Sequence, residues 1–450
     1  MKTSKKLGII VASIIIAVIL AFAAFKEQTN VHAFTFDKQI TFGGSNADEA
    51  LAVAIWGTKK VIVGYTNSFG AGGYDAFIAV NDTTLNMWTI GTSNDDFAYA
   101  VAVAGNFAYI VGTTNDPNNA GDIFIAKWSL AAQTLMATKF IASGINNPIA
   151  DIAYAVATDG TYVFVTGRWA DDKTFLAILD TNLNIINFAS LDLGSGNDFA
   201  YAIDFKLSAG VYKIIIGGNT NTAPTLGDYD AFITRIDFDG SNIIHVWSLR
   251  FGTTGHDSVT SLKFTDSNTF VVAGNSNNNG FLAGFTIDGG FLAAKATVFS
   301  NPSIITSIAI NGTYLYATGY FNNPPNQDDA FVLQVDSNGA LVDAKGYGGG
   351  TNDRAFGIAI NGPNINVVGS TSTYPNTVYD AKPLFSFNWV QWNPLVGPTY
   401  TPSMQSASIS FTIAAPTPAT YTPSVSTSPV TPNINSPTGV EAFYVRFTLP

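Results

Sequence analysis

The strongest constraint on the fold is a sequence pattern that recurs about every 50 residues. Its first step is an acid followed by alternating small apolar residues, as in DEALAVAI. Seven such segments occur, at 48–55, 96–103, 151–158, 198–205, 257–264, 303–310 and 353–360. The second step is a β-rich strand that ends in a glycine, again seven times: Gly64, Gly112, Gly167, Gly218, Gly274, Gly319 and Gly369. A repeat of this length predicts a solenoid or a propeller.

Two further steps complete the repeat. The third step, for example YDAFIAVN at 74–81, has a phenylalanine in six copies: Phe77, Phe124, Phe175, Phe232, Phe281 and Phe331. The fourth step is a strand that leads into glycines, as in LVDAKGYGGG at 341–350, and turn sequences such as DFDGSN separate it from the third. Four strands in each of seven units predict an all-β fold, a seven-bladed β-propeller.

The two ends of the chain each supply one step out of order. FTFDKQITFGG at 34–44 is a fourth step with no earlier steps before it. GVEAFYVRFTL at 439–449 resembles a third step, and its Phe443 is the missing seventh phenylalanine. We therefore expect the N- and C-terminal strands to lie side by side in the last blade and close the ring, which removes an open sheet edge. The propeller would then comprise residues 34–370 and this closing strand.

This interpretation makes residues 371–438 an insertion in the last blade. The region is rich in Pro, Thr and Ser, and PTYTPS at 398–403 returns as ATYTPS at 419–424. It is either an extended, O-glycosylated contact arm or a solvated loop. The alternative takes YDAKPLFSF at 379–387 as the seventh third step and the rest as a tail, but Pro383 argues against a strand there.

Residues 1–33 have the character of a targeting segment. Three lysines precede a run without charge at residues 7–25, which is long enough to span a bilayer as a helix. The segment is either a signal peptide cleaved after Ala33 or a retained single anchor, and a pilin-type signal processed after Gly8 is a further alternative. Each of these alternatives places the rest of the chain outside the cell, in an extracellular or cell-surface location.

Charge and cysteine content exclude several classes of function. The net charge is −11, so a nucleic-acid partner, which requires a basic surface, is not expected. The chain has no cysteine and therefore no disulfide and no zinc–thiolate site. His245 and His256 lack metal-ligand spacing, and no nucleophile motif accompanies them. We expect no cofactor and no catalytic residue, with Ca²⁺ as the one ion to consider.

That ion would bind to acids at the starts of the first steps. Six aspartates hold this position: Asp48, Asp96, Asp151, Asp198, Asp257 and Asp353. They should lie near one mouth of the central channel, where a ring of oxygens is a candidate Ca²⁺ site. The alternative is that each aspartate accepts backbone N–H bonds in its own loop. Loops on the same face are rich in Asn, Thr and Tyr and include Trp169, which suits contacts with carbohydrate or protein.

Two sequons, at Asn81 and Asn311, are candidate N-glycosylation sites in predicted turns. The repeat itself, with its acid, its V-x-G-x-T strand, its D-A-F step and its F-G-G ending, resembles the SBBP repeat. That resemblance covers residues 34–370 and the C-terminal strand, and it implies a prokaryotic protein that is exported or held at the cell surface. Ser303 replaces the acid in the sixth copy, and the third and fifth copies lack D-A-F.

The function that these features predict is a binding or adhesion scaffold without a catalytic motif. Its partner would be a surface protein or a carbohydrate. One alternative is a structural subunit of a surface layer or filament. Another is a propeller hydrolase or lyase that uses acids at the channel mouth, which would require chemically distinct residues to break the repeat there.

Overall fold

A computed structural model describes residues 34–115, 121–143, 150–194, 196–222, 228–299, 302–323, 327–372, 376–390, 412–414, 425–435 and 439–449. These residues form seven antiparallel sheets of four or five strands and two short 3₁₀ helices, Ala170–Asp172 and Lys382–Leu384. The first strand of each sheet contacts the first strand of the next, and the last sheet contacts the first. The predicted all-β, seven-bladed propeller is therefore confirmed.

The strands are numbered in chain order, beginning with β1 (Thr35–Gly43). Blade 1 contains β2 (Asp48–Trp56), β3 (Lys59–Thr66), β4 (Asp75–Asn81) and β5 (Leu85–Gly91). Blade 2 contains β6 (Asp96–Ala104), β7 (Phe107–Thr114), β8 (Asp122–Ser129) and β9 (Thr134–Ile141). Blade 3 contains β10 (Ile152–Thr158), β11 (Tyr162–Trp169), β12 (Lys173–Asp180) and β13 (Ile185–Asp192). Blade 4 contains β14 (Asp198–Ser208), β15 (Val211–Thr220), β16 (Asp230–Phe238) and β17 (Ile243–Phe251).

The remaining blades follow the same order from the channel outward. Blade 5 contains β18 (Asp257–Phe264), β19 (Thr269–Ser276), β20 (Asn279–Thr286) and β21 (Phe291–Phe299). Blade 6 contains β22 (Ser303–Asn311), β23 (Tyr314–Asn323), β24 (Gln327–Val335) and β25 (Leu341–Gly348). Blade 7 contains β26 (Arg354–Asn361), β27 (Asn364–Thr371), β33 (Glu441–Thr448) and then β1.

Both termini of the described chain lie in blade 7. Phe443 in β33 is opposite Gly369 on one side and Thr41 of β1 on the other. Residues 372–440 therefore leave and return between two neighbouring strands of one blade. The run at 379–387 supplies no third strand to this blade, because it divides between blades 6 and 5.

The segment between β27 and β33 contributes short outer strands, which we call the outer belt. Its members are β28 (Thr377–Asp380), β29 (Phe385–Val390), β30 (Thr412–Ala414), β31 (Ser426–Val430) and β32 (Asn433–Ile434). In that order they pair with the outermost strands of blades 6, 5, 3, 1 and 7. Sheet edges that would otherwise be open are thus covered by the chain itself.

The seven second-step glycines have one physical explanation. Each innermost strand carries a register shift near its start, for example between Ala50 and Ala52 in β2. The shift brings a backbone carbonyl of the first strand against the second strand. A Cβ on Gly64 would meet the Glu49 carbonyl oxygen, and the equivalent contact recurs in every blade. Glycine is required there because no side chain fits.

The hydrophobic core is divided among the blade interfaces. Seven clusters of buried side chains occur in the described residues, one between each pair of neighbouring blades. The third-step phenylalanines are all buried, and Phe443 joins them as the seventh. Burying such a side chain stabilises the fold by roughly 1.5–3 kcal/mol. Among the described residues, no helix is long and apolar enough to cross a membrane; the predicted signal or anchor helix in residues 1–33 lies outside them.

Candidate functional site at the channel mouth

The innermost strands surround a central channel with a cavity of about 240 Å³. One residue of each strand forms a tier that lines this cavity. The tier consists of Leu51, Tyr99, Tyr154, Tyr201, Thr260, Thr306 and Phe356. Four of its seven members are aromatic, and they belong to blades 2, 3, 4 and 7. The first steps therefore supply a channel wall with aromatic rings in blades 2, 3, 4 and 7 and threonines in blades 5 and 6.

Aromatic rings continue from this tier up to the mouth. We call six of them the aromatic array: Tyr65, Tyr74, Phe97, Tyr99, Tyr154 and Tyr201. Ring centroids of Tyr65 and Tyr74 lie 5.1 and 5.4 Å, respectively, from that of Phe97, which lies 6.2 Å from that of Tyr99. The series continues to Tyr154 at 5.3 Å and from there to Tyr201 at 5.1 Å. All six side chains are only partly buried, and Tyr99, Tyr154 and Tyr201 among them line the channel cavity.

The mouth is where the repeat becomes chemically irregular. The residue after each second-step glycine differs among the blades: Tyr65, Thr113, Arg168, Asn219, Asn275, Tyr320 and Ser370. Each lies opposite a first-strand residue that also varies: Glu49, Phe97, Ile152, Phe199, Ser258, Ile304 and Arg354. Side chains that vary in this way on a repeated scaffold are typical of a binding site.

Two arginines at the mouth are already paired with carboxylates. Arg354 bonds Asp328 through Nε at 2.7 Å and Nη2 at 2.5 Å, and its guanidinium lies 5.0 Å from the Tyr320 ring centroid. Arg168 bonds Asp172 through Nε at 2.7 Å and also through Nη2. Its guanidinium lies 5.3 Å from the centroid of Phe199. Both cations are held in place by two contacts to one carboxylate oxygen and by an aromatic ring.

Glu49 is a carboxyl group in a less polar setting. Burial raises the pKa of Glu49, while a hydrogen bond from Tyr65 and the charge of Arg354 oppose that shift. Burial also raises the pKa of Tyr65, and the nearby Glu49 raises it further. Tyr65 therefore stays protonated and donates to Glu49.

An amide corner, formed by Asn219, Asn275 and His256, lies in blades 4 and 5. Asn219 is 3% exposed, and its Nδ2 lies 3.2 Å from Nε2 of His256. The exposed His256 ring lies 5.2 Å from that of Tyr229. Within the described residues, the buried Oδ1 atoms of Asn219 and Asn275 have no hydrogen-bond partner. A buried amide oxygen without a partner is costly, so it attracts a donor from a ligand or from water.

The six first-step aspartates lie in the connections between blades. Each is buried and accepts a backbone N–H from the end of the preceding blade. The donors, in order, are Gly44, Thr92, Ser143, Leu193, Thr253 and Gly349, at 2.6–3.0 Å. No three acidic or histidine side chains of the described residues come close enough to share a metal ion. The predicted Ca²⁺ ring is not assembled by these six aspartates, because each is used in its own blade connection.

A second set of buried acids, at the starts of third strands, escaped the sequence prediction. Each faces a first-step aspartate of the next blade, and we call these couples the acid pairs: Asp75/Asp96, Asp122/Asp151, Asp230/Asp257, Asp329/Asp353 and Glu441/Asp48. Burial, with a smaller contribution from the paired carboxyl, raises the pKa of Asp96, Asp151 and Asp353 to about 6. The signal in the sequence was the D of D-A-F together with the glycine of F-G-G.

Two surface expectations are corrected by burial. Asn81 is 3% exposed, and its Nδ2 atom, to which a glycan would be attached, is buried. Asn81 is therefore unavailable for glycosylation in the folded protein. Asn311 is partly exposed and its Nδ2 donates to the Gly362 carbonyl at 3.2 Å, so a glycan there stays a prediction. Trp169, expected on the loop surface, is 4% exposed and packs 4.6 Å from the Phe188 ring.

Comparisons with known proteins reach only the level of architecture. No family model matches the chain, and no curated protein matches it, so the resemblance to the SBBP repeat stays a prediction. Among solved structures, phage phi92 endosialidase is 9% identical over 85% of this chain and 75% of that chain, with a TM-score of 0.40. A putative 6-phosphogluconolactonase from Bacteroides fragilis is 13% identical over 81% and 96%, with a TM-score of 0.41. The GH43 protein BlXynB from Bacillus licheniformis is 11% identical over 93% and 98%, with a TM-score of 0.30. Likeness at this level carries no argument about activity.

Proposed function

We propose that the chain is an extracellular or cell-surface propeller that binds glycans at its channel mouth. The observation that carries the proposal is the aromatic array, three of whose rings line the channel cavity and whose other rings continue to the mouth, where the repeat varies. Ligand sites in proteins are typically concave, largely apolar or aromatic, and equipped with a few placed polar groups. The mouth has this composition, with the amide corner across the channel from Tyr65 and Phe97.

Stacking explains why sugars suit such a wall. One face of a pyranose ring presents C–H groups, and these pack on the electron-rich face of an aromatic ring, while the hydroxyl groups at its edge need polar partners. Tyr99, Tyr154 and Tyr201 supply consecutive faces at spacings of 5.1–5.3 Å. An extended oligosaccharide would be able to contact more than one of them.

Binding, rather than hydrolysis, fits the carboxyl groups of the mouth. Glycoside hydrolysis generally requires two carboxyl groups flanking one bond, one of them free to act as base or nucleophile. Asp328 and Asp172 are engaged by Arg354 and Arg168. Glu49, which accepts a hydrogen bond from Tyr65, and Asp95, which accepts the backbone N–H of Tyr74 at 2.9 Å, are likewise engaged.

The outside location rests on residues 1–33 and on the resemblance to the SBBP repeat. Export would bring the mouth into contact with surface or environmental polysaccharides. The alternative of a structural subunit of a surface layer or filament would need an interface between copies of the chain.

A glycan array followed by titration calorimetry tests the proposal. Residues 34–450 are applied to the array, and the best ligand is titrated into wild type, Tyr154→Ala and Tyr154→Phe. We expect Tyr154→Ala to weaken binding at least about ten-fold and Tyr154→Phe to retain it, because stacking needs the ring and not the hydroxyl. Leu292→Ala is the control, since Leu292 lines a separate apolar groove between blades 5 and 6 at the opposite end of the strands. Binding that Leu292→Ala abolishes and Tyr154→Ala leaves intact would refute the channel mouth as the site.

A further inference from the structure

We infer that the channel mouth selects neutral, hydroxyl-rich sugars and discriminates against acidic ones. This inference rests on the proposed function, since it specifies the ligand class of the same site. It depends on which charges at the mouth are already neutralised and on which polar atoms still lack a partner.

The arginines of the mouth are already paired with aspartates. A carboxylate or sulfate on a sugar would need a cation, and the described arginines near the mouth are Arg168 and Arg354. Arg354 already makes two bonds to Asp328, and Arg168 makes two to Asp172. An acidic ligand at either arginine would share a cation whose charge one aspartate already neutralises, so its own charge would be only partly compensated.

The other charged groups near the mouth add no positive charge. Glu49 lies near enough to Arg354 to interact with its charge. Asp95 accepts the backbone N–H of Tyr74 at 2.9 Å. Lys263 lines the channel, but it lies nearer the end of β18 and therefore towards the opposite opening. A negative ligand on the aromatic array would thus meet carboxyl groups at short range and no unpaired arginine.

The amide corner favours the hydroxyl groups of neutral sugars. The Oδ1 atoms of Asn219 and Asn275 are buried hydrogen-bond acceptors in neighbouring blades and have no partner in the described residues. A hydroxyl group can donate a hydrogen bond to each of them. A carboxylate or sulfate has only acceptor oxygens and would place lone pairs against lone pairs. Each of these two atoms therefore favours a neighbouring hydroxyl group and disfavours a neighbouring anion.

Matched sugars test the inference most sharply. Oligosaccharides of glucose and galactose are compared with otherwise identical ones that contain glucuronic and galacturonic acid, at constant ionic strength. We expect wild type to bind the neutral member of each pair at least about ten-fold more tightly, which corresponds to 1.4 kcal/mol. Asp328→Asn should reduce that preference, because it releases Arg354 to meet the uronate.

Two controls keep the outcomes distinct. Asp82→Asn changes an exposed carboxylate at the opposite end of the strands and should leave the preference unchanged. Thermal unfolding of Asp328→Asn establishes that the variant is folded.

If binding depends on Tyr154 but favours the acidic sugars, or if Asp328→Asn leaves the preference unchanged, the inference is overturned and the proposed function stands. If no sugar shows Tyr154-dependent binding, the proposed function fails and the inference fails with it.

Discussion

Asp75 and Asp96 face each other across Gly91, although they belong to the third strand of blade 1 and the first strand of blade 2. A Cβ on Gly91 would meet Oδ1 of Asp75 and would lie 3.0 Å from Oδ2 of Asp96. Gly43 lies in the same way between Asp48 and Glu441, and Gly252 between Asp230 and Asp257. The blades are therefore joined by buried carboxyl groups that approach one another where glycine leaves room.

The pH dependence of stability is the first test of this arrangement. Burial raises the pKa of Asp96, Asp151, Asp198 and Asp353 to about 6, above the ~3.9 of an unfolded aspartate. Their stabilising contribution is complete below pH ~4 and is lost as the pH rises through about 6, because the unfolded chain ionises first. We expect the melting temperature, measured by calorimetry, to fall between about pH 4.5 and pH 7 and to level off above that.

Exposed turn aspartates act in the opposite direction at lower pH. Hydrogen bonds, chiefly from the Asn242 amide to Asp239 and from the Thr269 hydroxyl to Asp266, lower the pKa of these two groups. Their contribution is lost as the pH falls below about 4, so stability should be greatest near pH 4–5. A melting temperature that increases steadily from pH 4 to pH 7 would contradict buried, protonated acid pairs.

Substitution of Asp96 separates its hydrogen bonds from its charge. Its Oδ2 accepts the Thr92 amide at 2.7 Å and the Thr92 hydroxyl at 3.0 Å, and an asparagine oxygen can accept both. We expect Asp96→Asn to be at least as stable as wild type at pH 7.5, with a shallower pH dependence. Asp96→Ala should lose about 1–3 kcal/mol of unfolding free energy at pH 4.5, because the buried Thr92 amide loses its acceptor. The loss should be smaller at pH 7.5, where the buried aspartate of the wild type is ionised. Equal losses in both variants in urea unfolding would show that the charged form is needed.

Gly91 offers a steric test of the same junction. We expect Gly91→Ala to destabilise the protein by about 1–3 kcal/mol, because the new methyl group would overlap the Asp75 carboxyl. Gly350→Ala is the matched control, since a Cβ there has no atom within 4 Å. Unfolding free energies from urea titration compare the two. A Gly91→Ala variant as stable as the control would mean that the acids do not occupy the space beside Gly91.

Closure of the ring by β1 can be tested with two neighbouring phenylalanines. Phe34 is fully buried and its ring lies 5.3 Å from that of Phe447, whereas Phe36 is 41% exposed. Phe34→Ala should cost roughly 3–5 kcal/mol of unfolding free energy, as expected for a large-to-small change in a core. Phe36→Ala should cost less than about 1 kcal/mol. Similar small losses for both would indicate that the N-terminal strand contributes little to the closed ring.

The architecture was predictable because every repeat carries its own copy of the information. Each DAF phenylalanine and each second-step glycine meets the same packing requirement in its blade, so seven copies reinforce one interpretation. The acid pairs were not predictable in this way. Asp75 and Asp96 belong to different repeats, and their contact depends on how one blade is joined to the next.

The site was visible in the sequence only as departures from the repeat. Arg168 and Asn219 follow equivalent glycines, and a comparison of these aligned positions would have marked the mouth. The pairing of Arg168 with Asp172 and the burial of Trp169 depend on loop conformation, which period and composition do not determine. The outer belt was not predictable either, because its short strands depend on the sheet edges that they cover rather than on a sequence pattern of their own.

The most direct test of the account is a crystal structure of residues 34–450 in complex with the best neutral oligosaccharide from the array. We predict sugar density at the channel mouth, with pyranose faces against Tyr99 or Tyr154 and a hydroxyl group within hydrogen-bond distance of Asn219 Oδ1. Density confined to the outer belt or to the groove between blades 5 and 6 would contradict the channel mouth as the binding site.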